Sequence, residues 1–305
     1  MRQSEERAAL LGLLLGRRFG WTRVVEDVLE ANSAQQVLKN TLGGGETLFD
    51  LDEEPVSRAL AEANDLLARC VDDGVGVHAF WEESYPAQLR DIHEMPALVF
   101  TRGTVLPDER RSIAVVGSRK ASERGLAIAR SIATELSRQG ITVVSGLAAG
   151  VDTAAHTAAL RAGGRTVAVI GTGINRHYPS QNRQLQEDIA SEGLVLSQFL
   201  PDSAPTRQSF PMRNAVMSGY AAATIVVEAG ERSGARIQAR MALKHGRPVI
   251  LPRDLLSNAW VRDYARRPGV HVVGGIDELM EAVHAILAAA EVTPEELVKD
   301  TELVW

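Results

Sequence analysis

Residues 112–125 read SIAVVGSRKASERG, and their reading decides the fold. Ile113 to Val116 form a short, fully apolar run of the kind that makes a buried strand. Gly117-Ser118-Arg119 then gives a tight turn, and a helical segment follows. Strand, glycine turn and helix in that order normally announce a nucleotide cofactor. The fingerprint G-x-G-x-x-G is absent, however, and the pair Arg119-Lys120 stands in its place. The turn therefore serves either a cofactor phosphate or the phosphates of something longer.

The same pattern recurs along the chain. AVVGS, TVVSG, TVAVIG, LVLSQ, TIVVEA, PVILP and VHVVG are short and mostly rich in β-branched residues. Near-continuous apolar runs of this kind suit parallel strands covered on both faces. Between the first six lie GLAIARSIATELSRQG, DTAAHTAALRAGG, NRQLQEDIASEG, MRNAVMSGYAAA and ARIQARMALKHG. These segments read as helices, several of them closed by glycine. Repeated βα units predict an α/β fold, an extended Rossmann-like, doubly wound and mostly parallel sheet. Upstream, ERAALLGLLLGRRFG, TRVVEDVLEA and VSRALAEANDLLARC carry helical spacing, and the stretch 43–55 reads as a loop. The expected organisation is a helical domain over 1–71, the sheet domain over 72–290 and a tail over 291–305.

At 305 residues the chain has room for one large domain and a small one. Its single cysteine, Cys70, excludes a disulfide framework and a four-thiolate metal site, and points to the reducing cytoplasm. The apolar run at 9–16 follows two glutamates and is too short to span a membrane. A net charge of −6 argues against a nucleic-acid ligand until it is divided along the chain. Residues 1–111 hold 12 Lys/Arg against 20 Asp/Glu, a net of −8. Residues 112–250 hold 16 against 9, a net of +7, and residues 251–305 hold 5 against 10, a net of −5. The local field decides where a polyanion lands, and that field is positive in the middle of the chain.

Ligands of open parallel sheets bind beyond the carboxyl ends of the strands. Three such ends carry glycine turns: Gly117-Ser118-Arg119, Ser145 to Gly150, and Gly171-Thr172-Gly173. Each leads towards a helix, so backbone N–H groups and the positive helix end would face an anion together. No acid follows the second strand to hold a ribose, and no Walker lysine is present. Instead, Arg119, Lys120, Arg124, Arg176, Arg183, Arg207 and Arg213 are spread over several loops. That dispersion suits a phosphodiester chain better than one mononucleotide, and a merely solvated basic face is the plainer reading. Phe210 lies between Arg207 and Arg213 in TRQSFPMRN, read as a polar crossover. It fits either a base-stacking group or a plug beneath the loop. Asp152 and His156 stand four apart, Asp152 as a helix cap and His156 without a metal-binding partner. Glu228, a lone strand-end carboxylate, is expected to organise the loop GERSGAR. No catalytic constellation and no metal or cofactor motif stands out.

Together YPAQLRDIHEMPALVFTRG, AVVGSRKASERG, VVSGLAAGVDTAAHTAAL, TVAVIGTGINRHYPSQN, SFPMRN and VVEAGERSGARIQARMALKHGRPV resemble the DprA/Smf family (DNA-processing protein A) over about 74–250. The resemblance implies a protein without catalytic activity that binds single-stranded DNA, forms a homodimer and helps load a RecA-type recombinase in natural transformation. It places the DNA contacts at the turn of Gly117, Ser118, Arg119 and Lys120, at Gly171, Thr172 and Gly173, and at Arg207, Phe210, Arg213 and Asn214. The chain departs from the family at Gln198, where Glu is usual, and at Ala215, where Arg is common. It departs again over 253–269, where a glycine-rich turn is expected, and it lacks the C-terminal winged helix of some members. These departures bear on the dimer and recombinase surfaces. Two rivals share the fold. A nucleoside-monophosphate phosphoribohydrolase would need a glutamate that EAGERSGARIQA does not supply in register. A sensor of a small nucleotide signal would use the same turns.

Overall fold

The computed structural model describes residues 2–16, 20–43, 53–231 and 233–291. Most of the loop read over 43–55, and all but the first residue of the tail read over 291–305, lie outside the described residues.

Four helices come first: α1 Arg2–Leu15, α2 Trp21–Ala31, α3 Ala34–Leu42 and α4 Glu53–Asp72. The third was not legible as a separate helix. It is nine residues long and is started by caps, with the Ser33 hydroxyl accepting from Gln36 N and the Glu6 carboxylate from Ala34 N and Gln35 N.

The remaining elements are β1 Gly76–Ala79, β2 Leu98–Gly103, β3 Ser112–Val116, α5 Glu123–Arg138, β4 Thr142–Ser145, α6 Val151–Arg161 and β5 Thr166–Val169. They continue with α7 Arg183–Glu192, β6 Leu194–Ser197, α8 Ser209–Tyr220, β7 Ala223–Val226, α9 Gly234–Lys244, β8 Val249–Pro252, α10 Ala259–Tyr264, β9 Val270–Val273 and α11 Ile276–Glu291. The strands form one sheet in the order β1-β2-β6-β5-β4-β3-β7-β8-β9. The seven apolar runs of the sequence are its seven parallel strands. β1 and β2 add an antiparallel edge that pairs with β6.

Both faces of β3 are buried, which is why its sequence does not alternate. Ile113 and Val115 pack with α5, α6 and α11, whereas Ala114 and Val116 pack on the side of α8 and α9. Each such Ile or Val contributes about 1.5–3 kcal/mol by leaving water. From β3 the chain winds outward through β4, β5 and β6, then returns to place β7 on the other side of β3. The crevice between β3 and β7 is thus the topological switch point, where open α/β sheets bind their ligands. In place of the glycine turn expected over 253–269, a 3₁₀ turn (Arg253–Ser257) and α10 bury Trp260, Val261 and Tyr264. No helix among the described residues is long and apolar enough to cross a membrane.

Candidate nucleic-acid interface

The strand ends around the switch point are tied together by backbone. Ser118 N donates to the Glu228 carbonyl at the end of β7 (2.7 Å), and the Ser118 carbonyl accepts from Val151 N at the start of α6 (3.2 Å). Gly150 makes that second contact possible. It has φ +83°, and a Cβ there would strike the Ser118 and Arg119 backbone. The result is a cavity of about 670 Å³ at the switch point. The β3 turn, Ala148, the first turns of α8 and the start of α9 line it.

The helix behind the first turn does not point an empty N-terminus at this cavity. The Glu228 carboxylate accepts from Ser122 N (3.1 and 3.2 Å) and from the Ser122 hydroxyl, while that hydroxyl caps Gly125 N. Glu228 therefore holds the GSRKAS loop and the start of α5, a correction to its expected place in GERSGAR. An anion of the protein itself fills the position that a cofactor phosphate takes in dinucleotide folds.

Arg119, Lys120 and Arg207 are exposed at the cavity rim. The Arg119 guanidinium lies 5.1 Å from the centroid of the Phe210 ring. Phe210 belongs to the first turn of α8 rather than to a free crossover. Thr206 and Ser209 exchange side-chain-to-backbone bonds in both directions (3.0 and 3.1 Å), and this reciprocal cap starts the helix early. The ring is half-buried. It rests against Gly171, where a Cβ would come within 2.9 Å of it, and lies 5.7 Å from the Tyr178 ring. Tyr178, 44% exposed, extends the aromatic surface. Tyr178 belongs to the motif TVAVIGTGINRHYPSQN, where nothing in its spacing set it apart.

Other expected contacts are buried rather than exposed at the rim. Arg213 is buried, donating to the Gly146 and Val169 carbonyls and, through Nε, to Asn214 Oδ1 (3.1 Å). Burial pushes its guanidinium down in pKa, and the nearby Asp152 carboxylate opposes that shift. Arg213 braces the strand ends from below, and Asn214 Oδ1 holds its guanidinium in place. Gly171-Thr172-Gly173 is buried too. Gly173 N donates to the Ser203 carbonyl (2.9 Å), and the Gly171 carbonyl accepts from the Ser209 hydroxyl (2.6 Å). The third turn is roofed by the chain after β6, so its contribution is the flat seat for Phe210.

Asp152 caps the turn before its own helix, accepting from Gly146 N (3.1 Å) and Ala148 N (3.3 Å). His156 has no exposure, and its Nδ1 meets the Thr166 hydroxyl at 2.7 Å. Burial, with Arg213 adding to it, pushes the imidazole down to about 3. A relay of Ser218, His245 and Glu94 (2.8 Å at each step) resembles a hydrolytic triad. Ser218 is fully buried and also hydrogen-bonds the Ala215 carbonyl, so the relay ties α8 to α9 with no room for a substrate at the hydroxyl. Among the described residues no group of three or more His, Cys, Asp or Glu is placed to hold a metal ion.

Fold and site thus define an extended Rossmann-like protein whose switch-point cavity has a cationic and aromatic rim. Residues 76–281 match the family described as DNA recombination-mediator protein A, and the chain belongs to this DprA/Smf family. It is 40% identical over 176 residues to the DNA processing protein DprA of Streptococcus pneumoniae, covering 57% of this chain and 62% of that one. It is 36% identical over 186 residues to DprA of Bacillus subtilis, covering 61% and 63%. The match thus spans less than two thirds of either relative. The X-ray structure of the S. pneumoniae protein superposes with a TM-score of 0.65 at 27% identity, covering 92% of this chain and 95% of that one. A Helicobacter pylori DNA processing protein A, solved for its single-stranded DNA binding mode, shares the fold with a TM-score of 0.62 at 23% identity, covering 70% and 96%.

Proposed function

We propose that this chain binds single-stranded DNA at the β3–β7 crevice and, as a homodimer in the cytoplasm, passes it to a RecA-type recombinase without performing chemistry itself. One observation carries the DNA reading: Arg119 seated over Phe210 at the rim of a cavity flanked by Lys120 and Arg207. Cations that pair with phosphates, next to an aromatic face that stacks on bases, are the two parts of a single-strand groove. Ser118, Arg119, Lys120, Arg207 and Phe210 contact the strand, while Arg213, Asn214 and Gly171 to Gly173 hold them in place. Family membership and the single-stranded DNA binding of the H. pylori protein support the reading. The dimer and the recombinase rest on the family resemblance alone.

The test is titration of a thymine homopolymer and a matched duplex at several salt concentrations. The single strand should bind more tightly, with a salt slope of roughly 0.7 for each phosphate paired. Absence of binding at low salt overturns the proposal. Release of free base from nucleoside monophosphates would revive the phosphoribohydrolase.

A further inference from the structure

Gln238, on the second turn of α9, lines the same cavity and is 1% exposed. Neither its amide nitrogen nor its amide oxygen has a hydrogen-bond partner. The other buried polar side chains there, Asp152, Arg213 and Asn214, are bonded to the strand ends or to one another. Buried polar groups are nearly always satisfied, so an amide with both ends unpaired calls for an explanation. The same cavity is open at Gly230 and Gly234, where an added Cβ would meet nothing within 4 Å.

We propose that Gln238 reads the hydrogen-bonding edge of one unstacked nucleobase, which enters the cavity while its phosphates stay on the Arg119, Lys120 and Arg207 rim. This rests on the single-strand reading above and specifies what the cavity takes. A primary amide offers one donor and one acceptor side by side. Each nucleobase presents a donor beside an acceptor on its Watson–Crick edge. A phosphate has no donor to offer the amide oxygen, and an apolar group has neither. In a duplex that edge is already paired, so the preference for single strands has a source independent of stacking.

The experiment compares a thymine homopolymer with the same strand carrying difluorotoluene, which keeps the shape and stacking face of thymine and lacks its polar edge. The protein should bind the isostere strand roughly tenfold more weakly, the loss of about one good hydrogen bond to a site that is otherwise left unpaired. Gln238→Met should bind both strands alike, with unchanged salt dependence. Equal affinity of the unaltered protein for the two strands, with salt-dependent binding retained, overturns the inference and leaves the single-strand reading standing. Failure to bind either strand overturns that reading and the inference with it. If Gln238→Met does not fold, the two-strand comparison on the unaltered protein still decides.

Discussion

The Arg119 guanidinium covers the Phe210 ring at 5.1 Å from its centroid, joining β3's turn to α8's first turn across the cavity mouth. On the proposed reading, phosphate pairing and base stacking are coupled through this one contact. Arg119→Ala should weaken binding and shrink the salt slope by roughly 0.7. Phe210→Ala should cost about 1–3 kcal/mol and, by releasing Arg119, also alter the slope. The double variant should lose less than the sum of the two. Additive losses in a titration over salt would show the two groups acting separately. An unfolded Phe210→Ala would make the ring a structural plug.

Gly150→Ala tests the clasp between the first two turns. An L side chain at φ +83° that also meets the Ser118 and Arg119 backbone should destabilise by about 1–3 kcal/mol. It should also displace the turn that carries Arg119. A lowered melting temperature together with weaker single-strand affinity is the expected pair of results. A normal melt with normal affinity would mean that the turn is positioned by Glu228 alone.

His156 makes the fold acid-sensitive in a defined window. Below about pH 6.5 the unfolded chain takes up a proton on this ring, whereas the folded chain refuses it down to about 3. Stability is therefore full above the unfolded value and falls as pH drops through this range. Denaturant unfolding at pH 7.5, 6 and 5 should show the decline, and His156→Gln should flatten it. An unchanged slope in the variant would assign the effect to other groups.

A chain beginning at residue 72 tests whether the helical region is a separate domain. Among the described residues every strand starts at or beyond Gly76, so the sheet does not draw on the helical region. The two parts are nevertheless in contact: Arg7 bonds Glu82, and the Trp21 ring lies 5.9 Å from Phe199. The shortened chain should fold with a lower melting temperature and keep its single-strand affinity, since the rim cations all lie beyond residue 112. A tenfold loss of affinity in a folded product would place DNA contacts in the helices.

The parallel sheet was legible because buried parallel strands repeat one signal, as in AVV, TVV and TIVV. The antiparallel edge was not. GVHA is four residues long, and LVFTRG loses its apolar character after three. Arg119 and Arg207 were legible as loop cations. Arg213 carries the same charge but ends beneath the strand ends, because α8 begins at Ser209 and turns that position inward. Charge in a sequence does not reveal which carbonyls it will meet. The third glycine turn misled for the same reason, since its cover comes from residues 200–203, distant in sequence from Gly171. Gln238 read as an ordinary helix position, and only its missing partners set it apart.

Glu228 seated on the Ser122 end of α5 has a consequence for life in a crowded metabolite pool. A Rossmann frame with an open helix end competes for every phosphate compound in the cell. Here the Glu228 carboxylate already takes the Ser122 N–H and hydroxyl at that end, so a lone phosphate arriving there would meet a like charge. On the proposed reading, this internal anion would favour a polymer over a lone mononucleotide in the groove. A polymer that reaches several rim cations at once is not excluded by the loss of that single seat.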